Sequence, residues 1–410
     1  MDIPQSGYLL LDGATATNLY AKGMPKGICI EEYLLNHPEL IQELQTEFVA
    51  AGSDIIYAPT FSANRAKLQT FGFENHVTEW NKKLVALTKE VANGKKVAGD
   101  LSPTGLFIEP YGDTTFAELV DIYKEQASAL NEAGVDLFVI ETMLSLSESR
   151  AAVIACREFN KPIFVTVTIN EKGRLLSGAT PLTCLITLQE LGISAFGINC
   201  SCGPESLVEC IEELSQFSKI PLIAKPNAGQ PNPLLENVYD LSPVMMKNNI
   251  ARLLEAGASI IGGCCGTTPE HIHEMRELLD TYPPHEKIVP PELPNDMILC
   301  NETQLFALDN ERIEFTEPIF CEYDMADQFL TAEEDSFDVL LIHLNTVDDA
   351  NQFIINSHLA NLPVCFHSTN EKALVTALFS YQGRCIVDNQ SPIEMTYLEQ
   401  LSKKYGAILY

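Results

Sequence analysis

The sequence predicts an α/β protein in which parallel strands alternate with helices. Three observations support this class. Short apolar runs rich in β-branched residues recur through the first two thirds of the chain, and each precedes an amphipathic segment of helix length. One such segment, Pro38–Ala51, carries a proline in its first turn, where a helix tolerates it. Eight strand and helix units fit within residues 1–282, which predicts a (β/α)8 TIM barrel.

The eight predicted strands are short and spaced so that a helix fits between neighbours. They are Tyr8–Leu11, Ile55–Ala58, Lys96–Gly99, Leu137–Ile140, Ile163–Thr168, Ala195–Ile198, Leu222–Ala224 and Ser259–Gly262. Further helices are predicted over Phe116–Ala133, Pro204–Phe217 and Leu241–Ala256.

Composition excludes several classes of partner. The chain has 410 residues and a formal charge of -30, which repels phosphate backbones and anionic membranes. It has no apolar run of transmembrane length and no basic-then-apolar leader. We therefore expect a cytoplasmic protein without a nucleic-acid or membrane partner. Twelve cysteines without regular spacing indicate reduced thiols, most of them packed in the core, including Cys156, Cys184, Cys365 and Cys385.

Barrel enzymes carry their chemistry where the strands end, and polar or sulfur-containing residues follow each predicted strand. Cys200 follows the sixth strand, and Cys264-Cys265 follow the eighth. Adjacent cysteines are poor disulfide partners, because their Cα atoms lie only about 3.8 Å apart. The residues that follow the eight strands are Asp12-Gly13, Thr60-Phe61 with Asn64, Asp100, Glu141-Thr142, Asn170, Asn199-Cys200, Pro226-Asn227-Ala228-Gly229 and Cys264-Cys265.

Three thiolates on one rim predict a catalytic Zn²⁺ site, since three protein ligands leave the fourth position open. Cys202 competes for that place, but we expect it to lie beside the metal site rather than to bind the metal. His271 and His273 are alternative ligands, but a packing or solvent-facing role in the first helical turns is favoured. An open position on such a zinc suits a substrate thiol, whose pKa falls on coordination, so alkyl transfer to sulfur is the natural reaction.

Several motifs resemble the homocysteine S-methyltransferase family, and most closely its cobalamin-dependent methionine synthase branch. The resemblance runs from about Gly7 to Leu279. It rests on Asp12-Gly13-Ala14-Thr15, Thr60-Phe61-Ser62-Ala63-Asn64-Arg65, Gly99-Asp100-Leu101-Ser102-Pro103-Thr104-Gly105, Glu109-Pro110-Tyr111-Gly112-Asp113, Ile140-Glu141-Thr142, Gly197-Ile198-Asn199-Cys200, Pro226-Asn227-Ala228-Gly229 and Gly262-Gly263-Cys264-Cys265-Gly266. One departure is Ala16, where the family usually has glycine.

The resemblance implies roles for individual residues. The family's zinc thiolates fall on Cys200, Cys264 and Cys265, the trio that spacing had singled out. Its amino-acid site implies that Glu141 binds the substrate ammonium, with Asp12 close to it and with Asn199 and backbone groups near Ser102 also in the site. The alternative for Glu141 is a structural ion pair.

The tail is predicted to be a separate, smaller α/β domain. Residues 283–296 are rich in proline and predict a linker, and residues 297–410 alternate strand-like and helix-like runs. The tail weakly resembles part of a pterin-binding barrel. His343, His367 and Asp388 stand where that family presents amide and carboxylate groups, so we expect no folate site. Together with His358, the two histidines suggest a second metal site, but ordinary packing is favoured.

The sequence therefore predicts a zinc-dependent enzyme that methylates homocysteine, or a related thiol, to give methionine. The resemblance favours a methylcorrinoid donor, which would be free or carried by a separate corrinoid protein. Alternatives are a donor such as S-methylmethionine, and a non-catalytic zinc- or thiol-binding protein whose tail is an interaction surface. A folate-dependent transferase that works through the tail is disfavoured.

Overall fold

A computed structural model describes residues 7–201, 203–232, 239–283 and 296–410. These residues form two compact units. The first comprises 7–106, 118–177 and 193–283, and the second comprises 107–117, 178–192 and 296–410. Most of the predicted linker, 283–296, lies outside the described residues, so the predicted domain boundaries remain predictions.

The first unit contains a parallel barrel of eight strands. The strands follow one another around the barrel in chain order, and Leu11 beside the first strand forms a parallel bridge to Ile55 of the second, which closes the ring. All eight predicted strands are confirmed. They are β1 (Leu9–Leu10), β2 (Ile55–Tyr57), β3 (Lys96–Leu101), β4 (Leu137–Met143), β5 (Ile163–Val167), β6 (Ala195–Cys200), β7 (Leu222–Pro226) and β8 (Ala258–Ile261).

Helices connect successive strands, as parallel pairing requires. The predicted helix Pro38–Ala51 is confirmed, whereas Pro204–Phe217 divides into a 3-10 turn, Pro204–Leu207, and a shorter helix. The helices up to β8 and the one after it are α1 (Ala16–Ala21), α2 (Ile30–Asn36), α3 (Pro38–Ala51), α4 (Arg65–Gln69), α5 (Val77–Val91), α6 (Phe116–Glu132), α7 (Leu146–Arg157), α8 (Pro181–Glu190), α9 (Val208–Ser215), α10 (Pro243–Glu255) and α11 (Pro269–Thr281).

The barrel interior is apolar along the middle of the strands and polar at their carboxyl ends. Alternate strand residues point inward, and the apolar layer consists of Leu11, Ile55, Tyr57, Ala98, Leu137, Val139, Phe164, Ala195, Ile223 and Ile260. The same alternation, continued by two residues, brings Asp100, Glu141 and Lys225 to the carboxyl end. All three are buried. The register of the barrel thus sets charged groups directly above an apolar core.

The second unit contains a parallel sheet of five strands in sequential order and an antiparallel hairpin. The smaller α/β fold predicted for the tail is confirmed. The hairpin and β11 were not predicted, because the hairpin starts directly after the proline-rich segment and β11 has two residues. The strands are β9 (Asp296–Cys300), β10 (Leu305–Asp309), β11 (Ile319–Phe320), β12 (Leu340–Leu344), β13 (Val364–Ser368), β14 (Ile386–Val387) and β15 (Ile408–Leu409), and the helices are α12 (Ala326–Glu334), α13 (Val347–Asn356), α14 (Glu371–Ser380) and α15 (Met395–Tyr405).

One face of the five-stranded sheet packs against helices, and the other packs against the hairpin. Leu340, Ile342 and Phe366 lie in the helix-side core, which also includes residues of α12–α15. Cys365 and Ile386 lie in the smaller core that includes hairpin residues. Among all the described residues, no helix is both long enough and apolar enough to cross a membrane.

Candidate active site

The fold brings together the three cysteines that the sequence singled out. Cys200 ends β6, Cys264 and Cys265 follow β8, and their sulfur atoms lie within 4.8 Å of one another. Each side chain is partly exposed. In the described part of the chain, this is the one group of three or more histidine, cysteine or acidic side chains placed to share a metal ion. Cys202 lies outside the described residues.

Backbone hydrogen bonds tie the double-cysteine turn to the neighbouring strands. The Cys264 N–H donates to the Pro226 carbonyl at 2.8 Å, and the Gly263 N–H donates to the Asp12 carbonyl at 3.1 Å. The Thr267 hydroxyl donates to the Cys264 carbonyl at 2.7 Å. A Cβ at Gly263 would lie 2.3 Å from the Thr267 hydroxyl oxygen. The glycine therefore permits the close approach that fixes the turn.

Cys200 is held in a rarely populated backbone conformation. Cys200 and Ser201 have φ angles of 58° and 54°, in the left-handed region that favours glycine. The Ser201 hydroxyl donates to the Asn199 carbonyl at 3.1 Å and accepts the Ile169 N–H at 2.8 Å. Such strain persists only where surrounding contacts enforce it, and it concentrates at functional sites. Here it turns the Cys200 sulfur towards the other two.

The three thiols are close enough to share protons. The pKa of Cys265 is held well below its ordinary value because the Cys200 and Cys264 thiols form hydrogen bonds with its sulfur. The pKa of Cys200 is raised correspondingly by its hydrogen bonds with Cys264 and Cys265. The Asn199 side-chain amide also donates to the Cys264 sulfur, at 3.8 Å. Negative charge is therefore stabilised on this sulfur cluster.

Glu141 projects from an irregular end of β4. The pairing of β4 with β5 shifts register between Ile140 and Met143, and Thr142 has a φ of 62°. The Asn199 side chain fixes this bend, since its carbonyl oxygen accepts the Thr142 N–H at 2.9 Å and its amide donates to the Thr142 hydroxyl at 2.7 Å. Bulges of this kind commonly re-aim a side chain next to a functional site.

Lys225 is a buried charged residue next to Glu141 that was not predicted from the sequence. Its ammonium lies 2.9 Å from Glu141 Oε2 and 4.0 Å from the centre of the Tyr57 ring. The ion pair considered as an alternative for Glu141 is therefore present. The predicted seventh strand stopped at Ala224, which left the lysine in a loop, whereas β7 runs to Pro226 and turns Lys225 inward. A lysine at the end of an apolar strand was the available signal.

Two further carboxyl groups carry buried oxygens without a partner. Asp12 Oδ2 accepts the Tyr57 N–H at 2.8 Å, but neither Asp12 Oδ1 nor Asp100 Oδ1 has a hydrogen-bond partner among the described residues. Burial raises the pKa of Asp12 to about 7 and raises the pKa of Asp100 well above its usual range, with the charge on Glu141 as the next cause for Asp100. Three carboxyl groups thus face one lysine, and this interior is deficient in positive charge.

The loop after β3 is anchored by a buried network that the sequence analysis did not identify. The Tyr123 hydroxyl lies 3.0 Å from the Ser102 carbonyl oxygen and 3.0 Å from Glu148 Oε1. Glu148 Oε1 also accepts the Thr104 N–H and hydroxyl, both at 2.6 Å. Ser102 itself is fully buried. The network fixes the backbone of the segment to which the resemblance assigned substrate contacts.

The histidines of α11 stand apart from the cysteine cluster. His271 Nδ1 lies 3.0 Å from the Thr268 hydroxyl in a capping box, and its Nε2 lies 3.1 Å from the Leu241 carbonyl oxygen. His273 is 60 % exposed and faces Glu277. His271 therefore packs within the protein and His273 faces solvent, which are the two roles that the sequence favoured for these histidines.

In the second unit, two of the three tail histidines meet. The rings of His343 and His367 stack with centroids 4.4 Å apart, and His367 Nδ1 lies 2.6 Å from Asp388 Oδ2. His358 instead contacts the Tyr111 ring. Stacked imidazoles cannot both point ring nitrogens at one metal ion, because a ligated metal lies in the plane of each ring.

Solved structures of known proteins have a fold similar to that of this chain. The metallated form of the homocysteine methyltransferase MmuM from Escherichia coli is 25 % identical in sequence and superposes with a TM-score of 0.56, over 66 % of this chain and 96 % of that one. The oxidised form of the same protein is 24 % identical and has a TM-score of 0.58, over 67 % and 97 %. The apo form gives 25 % and 0.52, over 66 % and 95 %.

The sequence profile of one family covers most of the first unit. Residues 9–279 match the family described as homocysteine S-methyltransferase, which agrees with the resemblance found in the motifs. The matched range contains all eight barrel strands and the three clustered cysteines. The chain therefore belongs to the homocysteine S-methyltransferase family and is a methyltransferase of that family.

Proposed function

We propose that the protein transfers a methyl group to the thiol sulfur of homocysteine, giving methionine, with Zn²⁺ held by Cys200, Cys264 and Cys265. The observation that carries the proposal is the convergence of these three sulfur atoms within 4.8 Å at the carboxyl end of a (β/α)8 barrel. That end is where barrel enzymes place their reacting groups.

The cysteine cluster fits zinc in its chemistry and its spacing. Two sulfurs on a tetrahedral zinc, at Zn–S distances of about 2.3 Å, lie about 3.8 Å apart. The sulfur separations of at most 4.8 Å need little adjustment to reach that geometry. When bound, zinc would supply an open coordination position at which a thiol loses its proton near neutral pH.

The residues around the cluster suit the ammonium group of an amino acid. Asp12, Asp100 and Glu141 give this interior a surplus of carboxyl groups, and Asp12 and Asp100 each have one buried oxygen that no described residue pairs with. An ammonium group would satisfy these oxygens and offset the cost of their burial. We assign the ammonium to Glu141 and Asp12, and we assign Asn199 to orienting both Thr142 and the Cys264 sulfur.

The methyl donor that we propose is a methylcorrinoid, free or carried by a separate protein. Support comes from the resemblance of Ser102-Pro103-Thr104-Gly105 and Glu109-Pro110-Tyr111-Gly112-Asp113 to the methionine synthase branch. The backbone of the first of these segments is held rigidly by the Glu148 and Tyr123 network. A sulfonium such as S-methylmethionine is the alternative donor of the same reaction.

Zinc content and methionine formation test the proposal together. Purified wild type should hold one zinc per chain and form methionine from homocysteine with methylcobalamin, whereas Cys264→Ser should lose both zinc and activity. Cys156→Ser is the matched control, since that thiol is buried in α7 away from the cluster. Zinc and activity retained in Cys264→Ser would contradict the assignment. If homocysteine is methylated with S-methylmethionine but not with methylcobalamin, the donor would be reassigned. If the protein binds zinc but turns over neither donor, it would be a binding protein.

A further inference from the structure

We infer that Lys225 is a positioning residue for the substrate ammonium: it pairs with one oxygen of Glu141 and leaves the other directed at the substrate. This inference rests on the proposed function. Glu141 Oε2 lies 2.9 Å from the Lys225 ammonium, and Oε1 forms no hydrogen bond with any described residue. One oxygen is thus committed to the protein, and the other is available to a ligand.

The Lys225 side chain is buried inside the barrel. The side chain is 4 % exposed and that of Glu141 is 10 % exposed. The Tyr57 ring covers the ammonium at 4.0 Å. A Cβ at Gly262 would lie 3.1 Å from Lys225 Cγ, so the first glycine of the double-cysteine motif makes room for the lysine stem. The ammonium therefore has a fixed position beside Glu141.

The charge balance explains why a lysine is needed there. Asp12, Asp100 and Glu141 are all buried, and in the described part of the chain Lys225 is the basic side chain that forms an ion pair with a member of this group. Buried carboxyl groups without a counter-charge take up protons. Without Lys225, Glu141 would lose its direct partner and become a neutral acid, which binds an ammonium poorly. Lys225 thereby acts through Glu141 and not on the reacting sulfur.

This role separates substrates by their charged groups. Homocysteine carries an ammonium, whereas 4-sulfanylbutanoate has the same thiol and carboxylate without the ammonium. If Lys225 acts through Glu141 on the ammonium, the loss of Lys225 should weaken the binding of homocysteine and leave the binding of 4-sulfanylbutanoate unchanged. If Lys225 instead binds the substrate carboxylate, its loss should weaken the binding of both acceptors.

The test measures KM and kcat for both acceptors in Lys225→Met, Glu141→Gln and the double variant. We expect the KM for homocysteine to rise about tenfold or more in Lys225→Met, with kcat at saturation within about threefold, because a charge-assisted hydrogen bond to the ammonium is roughly twice as strong as one to a neutral acid. The double variant should match Glu141→Gln within about twofold, since the two residues act as one unit. Lys247→Met, which breaks a surface ion pair with Glu274, is the control and should behave as wild type.

Three results would overturn the inference. These are an equal rise in KM for 4-sulfanylbutanoate, additive effects of the two substitutions, or a lower KM for homocysteine in Lys225→Met, which would mean that the lysine competes for Glu141. If Lys225→Met does not fold, the double variant removes both charges, and its KM against that of Glu141→Gln decides the matter. Absence of homocysteine turnover in wild type with bound zinc would instead count against the proposed function.

Discussion

Replacing Gly266 by alanine tests how the double-cysteine turn is held. Gly266 has a φ of 79°, and a Cβ there would lie 2.3 Å from Cδ2 of the Tyr239 ring. Alanine in this backbone region costs about 1–2 kcal/mol. Moving the Tyr239 ring out of contact adds about 1–3 kcal/mol, the usual cost of overpacking. The total expected loss is about 2–5 kcal/mol.

Gly72 provides a matched control for the backbone cost alone. It has a φ of 78°, and a Cβ there meets no atom within 4 Å. Thermal unfolding of both variants by circular dichroism should therefore show a Tm for Gly266→Ala several degrees below that of Gly72→Ala, and only Gly266→Ala should lose zinc readily. Equal Tm values with equal zinc content would refute the role given to the Tyr239 contact.

Three further variants test other contacts of the site. Tyr123→Phe removes the hydroxyl that lies between the Ser102 carbonyl oxygen and Glu148 Oε1, which keeps its hydrogen bonds from Thr104, and it should lower stability by about 1–3 kcal/mol relative to Tyr323→Phe, at a residue that is 90 % exposed; equal melting curves would exclude the network as an anchor. Asn199→Ala removes a donor to Cys264 and should weaken zinc binding about 10–100-fold in chelator competition, and unchanged affinity would contradict this. Burial raises the pKa of Asp12 from 3.8 to about 7, so the contribution of Asp12 to stability should fall as pH rises between these values. In metal-free protein, the Tm of Asp12→Asn relative to wild type should therefore increase over this pH range and stay constant above it. A Tm difference that does not change with pH would contradict the shift.

The sequence predicted the barrel and the sulfur cluster well because both depend on regular patterns. The alternation of strands and helices sets the strand count, and closure of the ring places the carboxyl ends of β6 and β8 on one rim. The strand count alone therefore predicts that Cys200 lies near Cys264 and Cys265. Parallel pairing leaves little freedom in that step.

The surroundings of the cluster were harder to predict because they depend on irregular backbone and on register. Lys225 faces inward only because β7 continues past Ala224, and the irregular backbone at Thr142, next to Glu141, is a feature that strand periodicity does not contain. The anchoring of Ser102 by Glu148 joins residues 46 positions apart (148 − 102) through Tyr123, with no local motif. In the second unit, β11 was missed because two residues carry no detectable alternation.

The number of sulfur ligands on zinc tests the central claim most directly. X-ray absorption of the zinc-loaded protein should show three sulfurs and one lighter ligand, from Cys200, Cys264 and Cys265 with an open position, and homocysteine should raise the count to four sulfurs. Four sulfurs before homocysteine is added, or a spectrum that homocysteine leaves unchanged, would contradict a zinc site that receives the substrate thiol.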